Sequence, residues 1–399
     1  MRVLLIAPYY DKNVPGESWS TFKWVEGVCK RHECTILTTH HKGWNSDDSP
    51  TGAKNIVNWT DPKLPKTFAR LSRELKPTYP LFYVRARRWL KKALKAGDRF
   101  DLVHQINPLA LRYPCPAHGL DLNYIIGPLA GSLQTPEGFR SESNDKKWYR
   151  KLRSIDHLRF KYDPWLRKSY SQAKLILGVA PYVGELLAPA NIKNFAIESE
   201  TGVEKIEGSP KASPKAGEPL RLLFAGRIIR TKGVIDAIRA VAIASKTCNV
   251  VFDILGDGDM FDECKAEAKK LKVTEIVHFH GRVTRQAVNE WYQKAHVFLF
   301  PSFREPSGNV VFEALGNGLP VITSTLGGPG YVVTNECGIR ISPESPKQYS
   351  EKLSEAIAHF HKSIDLLPQY SEAALTRMSE LALWEAKSAK LDTIYRSLV

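Results

Sequence analysis

Two loops carry the residue types that hold a phosphorylated ligand. In Gly226-Arg227-Ile228-Ile229-Arg230-Thr231-Lys232-Gly233 a glycine closes an apolar run, cations follow at Arg227, Arg230 and Lys232, and a helical pattern begins. Glycine lets the backbone approach a ligand, a helix start offers unpaired N–H groups at the positive end of its dipole, and Arg with Lys adds full charge. Such a set can hold a diphosphate without a metal. The second loop, Pro301 to Glu313, places Glu305 in the loop and Glu313 about one turn into a helix starting near Asn309. Two carboxylates so placed can accept from the hydroxyls of one elongated ligand, with the N–H groups of Gly308, Asn309 and Val310 facing an anion. Taken singly, the first loop also fits a solvated basic turn and the second a chance pair of glutamates. Their position, each directly after an apolar run, makes them informative.

Both loops need strands that end where they begin. Short Val/Ile/Leu/Phe runs alternate with amphipathic segments along most of the chain, the pattern of βαβ units whose parallel sheets are buried on both faces. In the second half, strands are expected at 220–226, 249–255, 275–281, 296–301 and 319–324, with helices at 231–245, 260–271, 284–295, 309–317 and 346–361. Gly327-Gly328-Pro329-Gly330 reads as a turn. Open parallel sheets bind ligands at the carboxyl ends of their strands, so loops 226–232, 256–259, 281–284, 301–309 and 325–331 should share one rim. In the first half, strands are expected at 2–8, 34–39, 101–106, 123–127 and 174–180, and helices near 19–31, 66–75, 81–96 and 146–170. The Pro-, Gly-, Ser- and Lys-rich stretch 205–219 reads as a linker. The expected organisation is a first domain over 1–204, a second over 220–370, and a helical segment over 371–399 that can pack back on the first.

A length of 399 residues exceeds what one core usually supports, which agrees with two domains. With 10% aromatic and 25% charged residues, the chain is neither disordered, collagen-like nor a coiled coil. Its net charge of +15 is uneven, with +13 on residues 1–200 and +2 on the remainder, so an anionic partner is expected to meet the first half. The six cysteines are scattered without zinc-like spacing, pointing to a reduced, cytoplasmic protein. Met1 to Pro8 reads as a buried first strand rather than a leader, and no apolar run approaches the roughly 20 residues of a membrane span. Residues 85–95 and 146–168 are basic, amphipathic and interleaved with aromatics. They suit an anionic membrane interface, or equally a solvated helix face whose apolar stripe packs on the domain.

Other signals are weaker. Gly256-Asp257-Gly258-Asp259 lacks the third glycine of a dinucleotide fingerprint, Phe261 standing there, and its Asp-x-Asp reads as turn chemistry rather than a metal site. His278 and His280 alternate on one expected strand and read as structural.

The second half resembles the donor-binding domain of glycosyltransferase family 4, retaining enzymes of GT-B fold. The residues that carry the likeness are the Gly-Arg-x4-Lys-Gly loop at 226–233, Gly-Asp-Gly at 256–258, Phe-His-Gly-Arg-Val at 279–283, and Phe-Pro-Ser followed by Glu-x7-Glu over 300–313. The resemblance implies an α/β chain with two Rossmann-like doubly wound domains facing a central cleft. It implies that Arg227 and Lys232 grip the diphosphate of a nucleotide sugar and that Glu313 binds the ribose, with Gly226 in the same loop. Arg282 and Val283 would border the base, Glu305 would lie against the transferred sugar, and Gly308, Asn309 and Val310 would supply backbone donors. In the first domain Gly16 stands where the family has a diphosphate-touching glycine loop. Gly127 stands where many members have a histidine beside the reacting sugar, and His104, at another strand end, is the candidate to replace it, against the alternative of a structural histidine.

The expected function is therefore retaining, metal-independent transfer from a nucleotide-diphosphate sugar to an anionic, lipid-linked glycan in polysaccharide or O-antigen-like synthesis. No cofactor beyond that co-substrate and no nucleic acid is expected, and the location would be cytoplasmic or peripheral on the inner membrane face. The competing readings are a transferase for a soluble acceptor, a sugar-nucleotide epimerase or phosphorylase on the same fold, and a non-catalytic polyanion-binding protein.

Overall fold

A computed structural model describes residues 1–14, 16–40, 50–62, 76–142 and 155–399. The helix expected at 66–75 and the beginning of that expected at 146–170 lie outside these residues. The chain forms two compact units: Met1–Ser132 with Asp145–Gly202 and Trp384–Val399, and Leu133–Asn144 with Val203–Leu383.

In the first unit, β1 (Arg2–Ile6), β2 (Glu33–His40), β3 (Ala53–Thr60), β4 (Leu102–Gln105), β5 (Tyr124–Leu129), β6 (Leu175–Gly178) and β7 (Phe195–Ile197) form a parallel sheet in the order β3-β2-β1-β4-β5-β6-β7. Val3 to Ile6 are all fully buried because helices cover both faces, which is why this strand is apolar after its exposed first residue, Arg2. The second unit repeats the plan. Its strands β8 (Leu220–Ala225), β9 (Val250–Leu255), β10 (Val277–Gly281), β11 (Val297–Phe300), β12 (Val321–Ser324) and β13 (Gly338–Ile341) run parallel in the order β10-β9-β8-β11-β12-β13. The α/β class and the doubly wound pattern hold in both units. The strand order reverses between β1 and β4 and again between β8 and β11, and these switch points are where such sheets bind ligands.

Several elements differ from expectation. Residues 231–245 are not one helix: a 3-10 turn at Arg230–Lys232 is followed by Gly233 and then by a helix over Val234–Ala244. Gly233 has φ 72°, and a Cβ there would lie 2.1 Å from the Pro301 carbonyl oxygen, so the neighbouring loop forces the break. Within 146–170 the described part is two helices, Ile155–Tyr162 and Pro164–Ser171. Asp163 separates them and caps the second, accepting from the N–H groups of Trp165 and Leu166 at 3.0 and 3.1 Å. The Gly-rich turn at 327–330 is a short helix over Gly327–Val332.

The linker-like stretch 205–219 packs on the second unit. Lys211 is 7% exposed and its ammonium donates to the carbonyls of Tyr292 and Gln293 at 2.9 and 3.2 Å. Low periodicity there reflects irregular backbone, not absence of packing. The final segment is two helices, Leu367–Leu381 in the second unit and Trp384–Leu398 in the first. The latter places Trp384, Leu391 and Tyr395 in the core of the first unit.

Candidate active site

The loops that carry Lys232 and Glu305 leave β8 and β11, the two strands flanking the switch point of the second sheet. Three contacts hold the loops together: Phe303 N–H donates to the Thr231 carbonyl at 3.2 Å, Ser302 Oγ donates to the same carbonyl at 3.0 Å, and Lys232 forms an ion pair with Glu305 Oε2. Both side chains of that pair are largely withdrawn from water, at 13% and 17% exposure, and the ring of Phe300 lies 5.2 Å from the Lys232 ammonium. Burial and then the neighbouring Arg227 guanidinium push the Lys232 ammonium down to about 7. Arg227 itself is exposed.

Glu305 has a second task. Its Oε1 accepts from Gly308 N–H at 3.2 Å, and Gly308, at φ 83°, opens the helix Asn309–Gly316 without any side-chain cap. The N–H of Gly308, expected to face a ligand, is thus spent on Glu305, whereas the first-turn N–H groups of Asn309 and Val310 have no intrahelical acceptor. A cation, a carboxylate and an uncapped helix start therefore meet within one loop pair. Glu313, on the same helix, is exposed and one of its oxygens accepts from the Tyr292 hydroxyl at 3.2 Å. Desolvation raises its pKa, with the Tyr292 hydrogen bond and Arg285 opposing.

The remaining second-unit residues frame these two loops. Gly226 N–H donates to the Leu255 carbonyl at 3.0 Å, and a Cβ on Gly256 would sit 1.8 Å from the Gly226 carbonyl oxygen. The Gly-Asp-Gly turn follows from two backbones crossing at van der Waals contact. Arg282 is solvated and 3.4 Å from Asp257, and Val283 packs on the edge of the core. His280 donates toward Asp253 at 2.8 Å, and Asp253 also accepts from Arg221 at 2.6 Å, which accounts for that histidine structurally. The short helix Gly327–Val332 also belongs to this rim, because Gly328 N–H donates to the Glu305 and Pro306 carbonyls at 3.2 and 2.8 Å. Tyr292 was not signalled by the sequence, since it looks like ordinary core, and Phe300 entered only as part of the Phe-Pro-Ser motif, without a role of its own.

In the first unit, Gly16 caps the helix Glu17–Cys29 at φ 90°, and a Cβ there would meet nothing within 4 Å. Its backbone is open, but the first turn already carries the Glu17 carboxylate, held by Lys76 at 2.7 Å and Leu109 N–H at 3.0 Å. His104 requires correction. It is fully buried, and because Gly127 O can only accept, Nε2–H donates to it at 2.7 Å while Nδ1 accepts from the Tyr395 hydroxyl at 2.5 Å. Burial pushes the imidazole down to about 4, leaving a neutral ring with no nitrogen for a substrate. Nor does Gly127 have space for the family histidine: at φ 125°, a Cβ would be 2.2 Å from the Leu177 carbonyl oxygen.

The Lys232 environment fixes the sign of a pH effect. A bound diphosphate favours the ammonium, so below about 7 Lys232 is charged with or without ligand and affinity is flat. Above about 7, binding must take up a proton, and affinity for a nucleotide sugar should fall by up to about tenfold per pH unit. Calorimetric titrations between pH 6 and 9 measure this directly; an affinity that rises with pH contradicts it.

Comparison with known proteins gives the class of the fold first. A sucrose-phosphate synthase from Thermosynechococcus elongatus superposes with a TM-score of 0.66 at 17% identity, covering 100% of this chain and 98% of that one. The HepE protein of Anabaena, solved in complex with UDP, superposes with a TM-score of 0.64 at 13% identity, covering 100% of both chains. The chain thus has the GT-B type of fold, with two parallel Rossmann-like sheets. Residues 205–365 match the family described as "Glycosyl transferases group 1". An uncharacterized glycosyltransferase of Methanocaldococcus jannaschii is 35% identical over 126 residues, 31% of this chain and 32% of the relative. The chain thus spans about a third of the length of the curated relatives it matches first.

Proposed function

We propose that the protein is a retaining glycosyltransferase that moves a sugar from a nucleoside-diphosphate sugar to an anionic, lipid-linked glycan without a metal. The observation that carries this reading is the Lys232–Glu305 pair beside the open first turn of Asn309–Gly316. The family match over that segment and the UDP held by a protein of the same fold support a nucleotide donor. As the bond to the sugar breaks, positive charge grows on the ring and negative charge on the departing diphosphate. Lys232, Arg227 and the N–H groups of Asn309 and Val310 stabilise the latter where it develops, and they are in place before the reaction. The acceptor attacks from the leaving-group face, a phosphate oxygen takes its proton, and Glu305 steadies the sugar rather than bonding to it. Glu313 accepts from the ribose.

The acceptor assignment rests on the first unit. There Trp165 and Tyr162 are 50% and 66% exposed, with Leu158, Leu81 and Val84 also at the surface. The Arg87 guanidinium lies 5.8 Å from the Trp165 ring, and Lys91, Lys161 and Lys168 are exposed nearby in sequence. Aromatic and basic residues exposed together suit an anionic membrane face, as a lipid-linked acceptor requires. Sugar transfer from UDP-, GDP- and ADP-sugars to lipid extract tests the reaction. Vesicle co-sedimentation at low salt tests the surface: binding to vesicles rich in anionic phospholipid should be at least roughly tenfold tighter than to neutral ones. Equal binding would favour a soluble acceptor.

A further inference from the structure

Residues 133–142 come from the first half of the chain, between β5 and the helix Ile155–Tyr162, yet they belong to the second unit. Their fastening is tight. A 3-10 turn at Glu137–Phe139 drives Phe139, fully buried, into the second unit's core, 4.3 Å from the Phe303 ring and 5.9 Å from that of Tyr349. Gly138 lies so close to the backbone of Glu344 that a Cβ would be 1.9 Å from its carbonyl oxygen.

The strap touches both loops of the candidate site, each next to the residue that matters. Arg230, two residues before Lys232, lies 5.3 Å from the Phe139 ring and 5.2 Å from the Phe303 ring. Its guanidinium donates to Glu142 of the strap at 2.7 Å and to the buried Asp236 at 2.5 and 3.1 Å. Arg304, directly before Glu305, donates to Thr135 Oγ1 of the strap at 3.1 Å. Among the described residues, the hydrogen bonds of Glu142 and Thr135 go to Arg230 and Arg304 and not to Lys232 or Glu305.

We propose that residues 133–142 are a positioning strap for the donor site: through Glu142 on Arg230 and Thr135 on Arg304, they fix the two loops that present Lys232 and Glu305 to the diphosphate. Arg230 and Arg304 are positioning residues, since each acts through its neighbour. Phe139 anchors the strap but is a poor probe, because truncating it damages the core itself. Glu142 and Thr135 are better, being partly exposed and replaceable without a cavity. The inference rests on the donor-site reading above.

The test uses the full chain and whichever of UDP, GDP and ADP raises its melting temperature most. Glu142→Gln combined with Thr135→Val should leave the melting temperature of the ligand-free protein within about 2 °C, since exposed polar replacements cost little stability. The dissociation constant of that nucleoside diphosphate should rise roughly 5- to 30-fold, the loss of two polar contacts that order the loops. Thr135→Ser, which keeps the hydroxyl, should bind like the native chain. Native affinity in the double variant overturns the strap while leaving the donor site standing. If the native chain binds none of the three diphosphates, the donor-site reading fails and the strap with it.

Discussion

Replacing Lys232 with Ala should lower sugar transfer by about 10²- to 10³-fold, the effect of removing one preorganised donor from a developing anion. The size follows from where the ammonium sits. At 13% exposure beside the Phe300 ring it acts through little water, whereas the exposed Arg227 is screened. Arg227→Ala should therefore cost less, roughly three- to thirtyfold at moderate salt. Because the diphosphate gains charge as the bond breaks, the Lys232 loss should fall more on kcat than on KM. The substitution also leaves the Glu305 carboxylate facing a void, so melting temperature must be followed alongside turnover. Steady-state kinetics on folded protein separate the two, and Lys232→Ala activity within threefold of native would remove Lys232 from the catalytic set.

Ending the chain after Leu383 should unfold the first unit. The helix Trp384–Leu398 supplies Trp384, Leu391 and Tyr395 at 4%, 2% and 0% exposure, with Trp384 packed edge-on against Trp24 at 5.5 Å. Losing a buried Trp or Tyr costs about 3–5 kcal/mol and a Leu about 2–5, and together these match the whole stability of a typical domain, about 5–15 kcal/mol. Polar losses add to this. Lys387 donates to the buried Glu198 at 2.5 Å and Tyr395 to His104 at 2.5 Å, so truncation strands a buried carboxylate and an imidazole nitrogen. Limited proteolysis should cut the truncated chain throughout residues 1–200 while the native chain resists; equal resistance would show the helix to be dispensable.

The sequence made the central strands legible and the edges obscure. Buried on both faces, β1, β8 and β11 are apolar except for Arg2 and Arg221. The strands that were missed, β3, β7 and β13, all lie at sheet edges. β3 spells Ala-Lys-Asn-Ile-Val-Asn-Trp-Thr and is largely exposed or half-buried, so it carries no continuous hydrophobic signal. The two site loops were visible because their charged residues directly follow core strands. What they contact was not: the 3-10 turn before Gly233 and the helix at Gly327 both depend on backbones from distant segments passing within contact distance. His104 illustrates the same limit, since its partner Tyr395 lies at the other end of the chain. The strap at 133–142 was hidden for a similar reason, as its second-unit contacts are with residues about 90 to 210 positions away.

The +13 on residues 1–200 is likewise separate from the donor chemistry, which rests on a few placed cations in a half whose net charge is +2. That separation is open to one direct measurement. Calorimetric titration of UDP, GDP and ADP into the native chain and into Lys232→Ala, both in EDTA, should show one diphosphate binding the native chain one to one. Its affinity should weaken at least tenfold in the variant, about 1.4 kcal/mol or more. Binding that needs a divalent metal, or that survives the loss of Lys232 unchanged, would contradict a donor site built on that lysine.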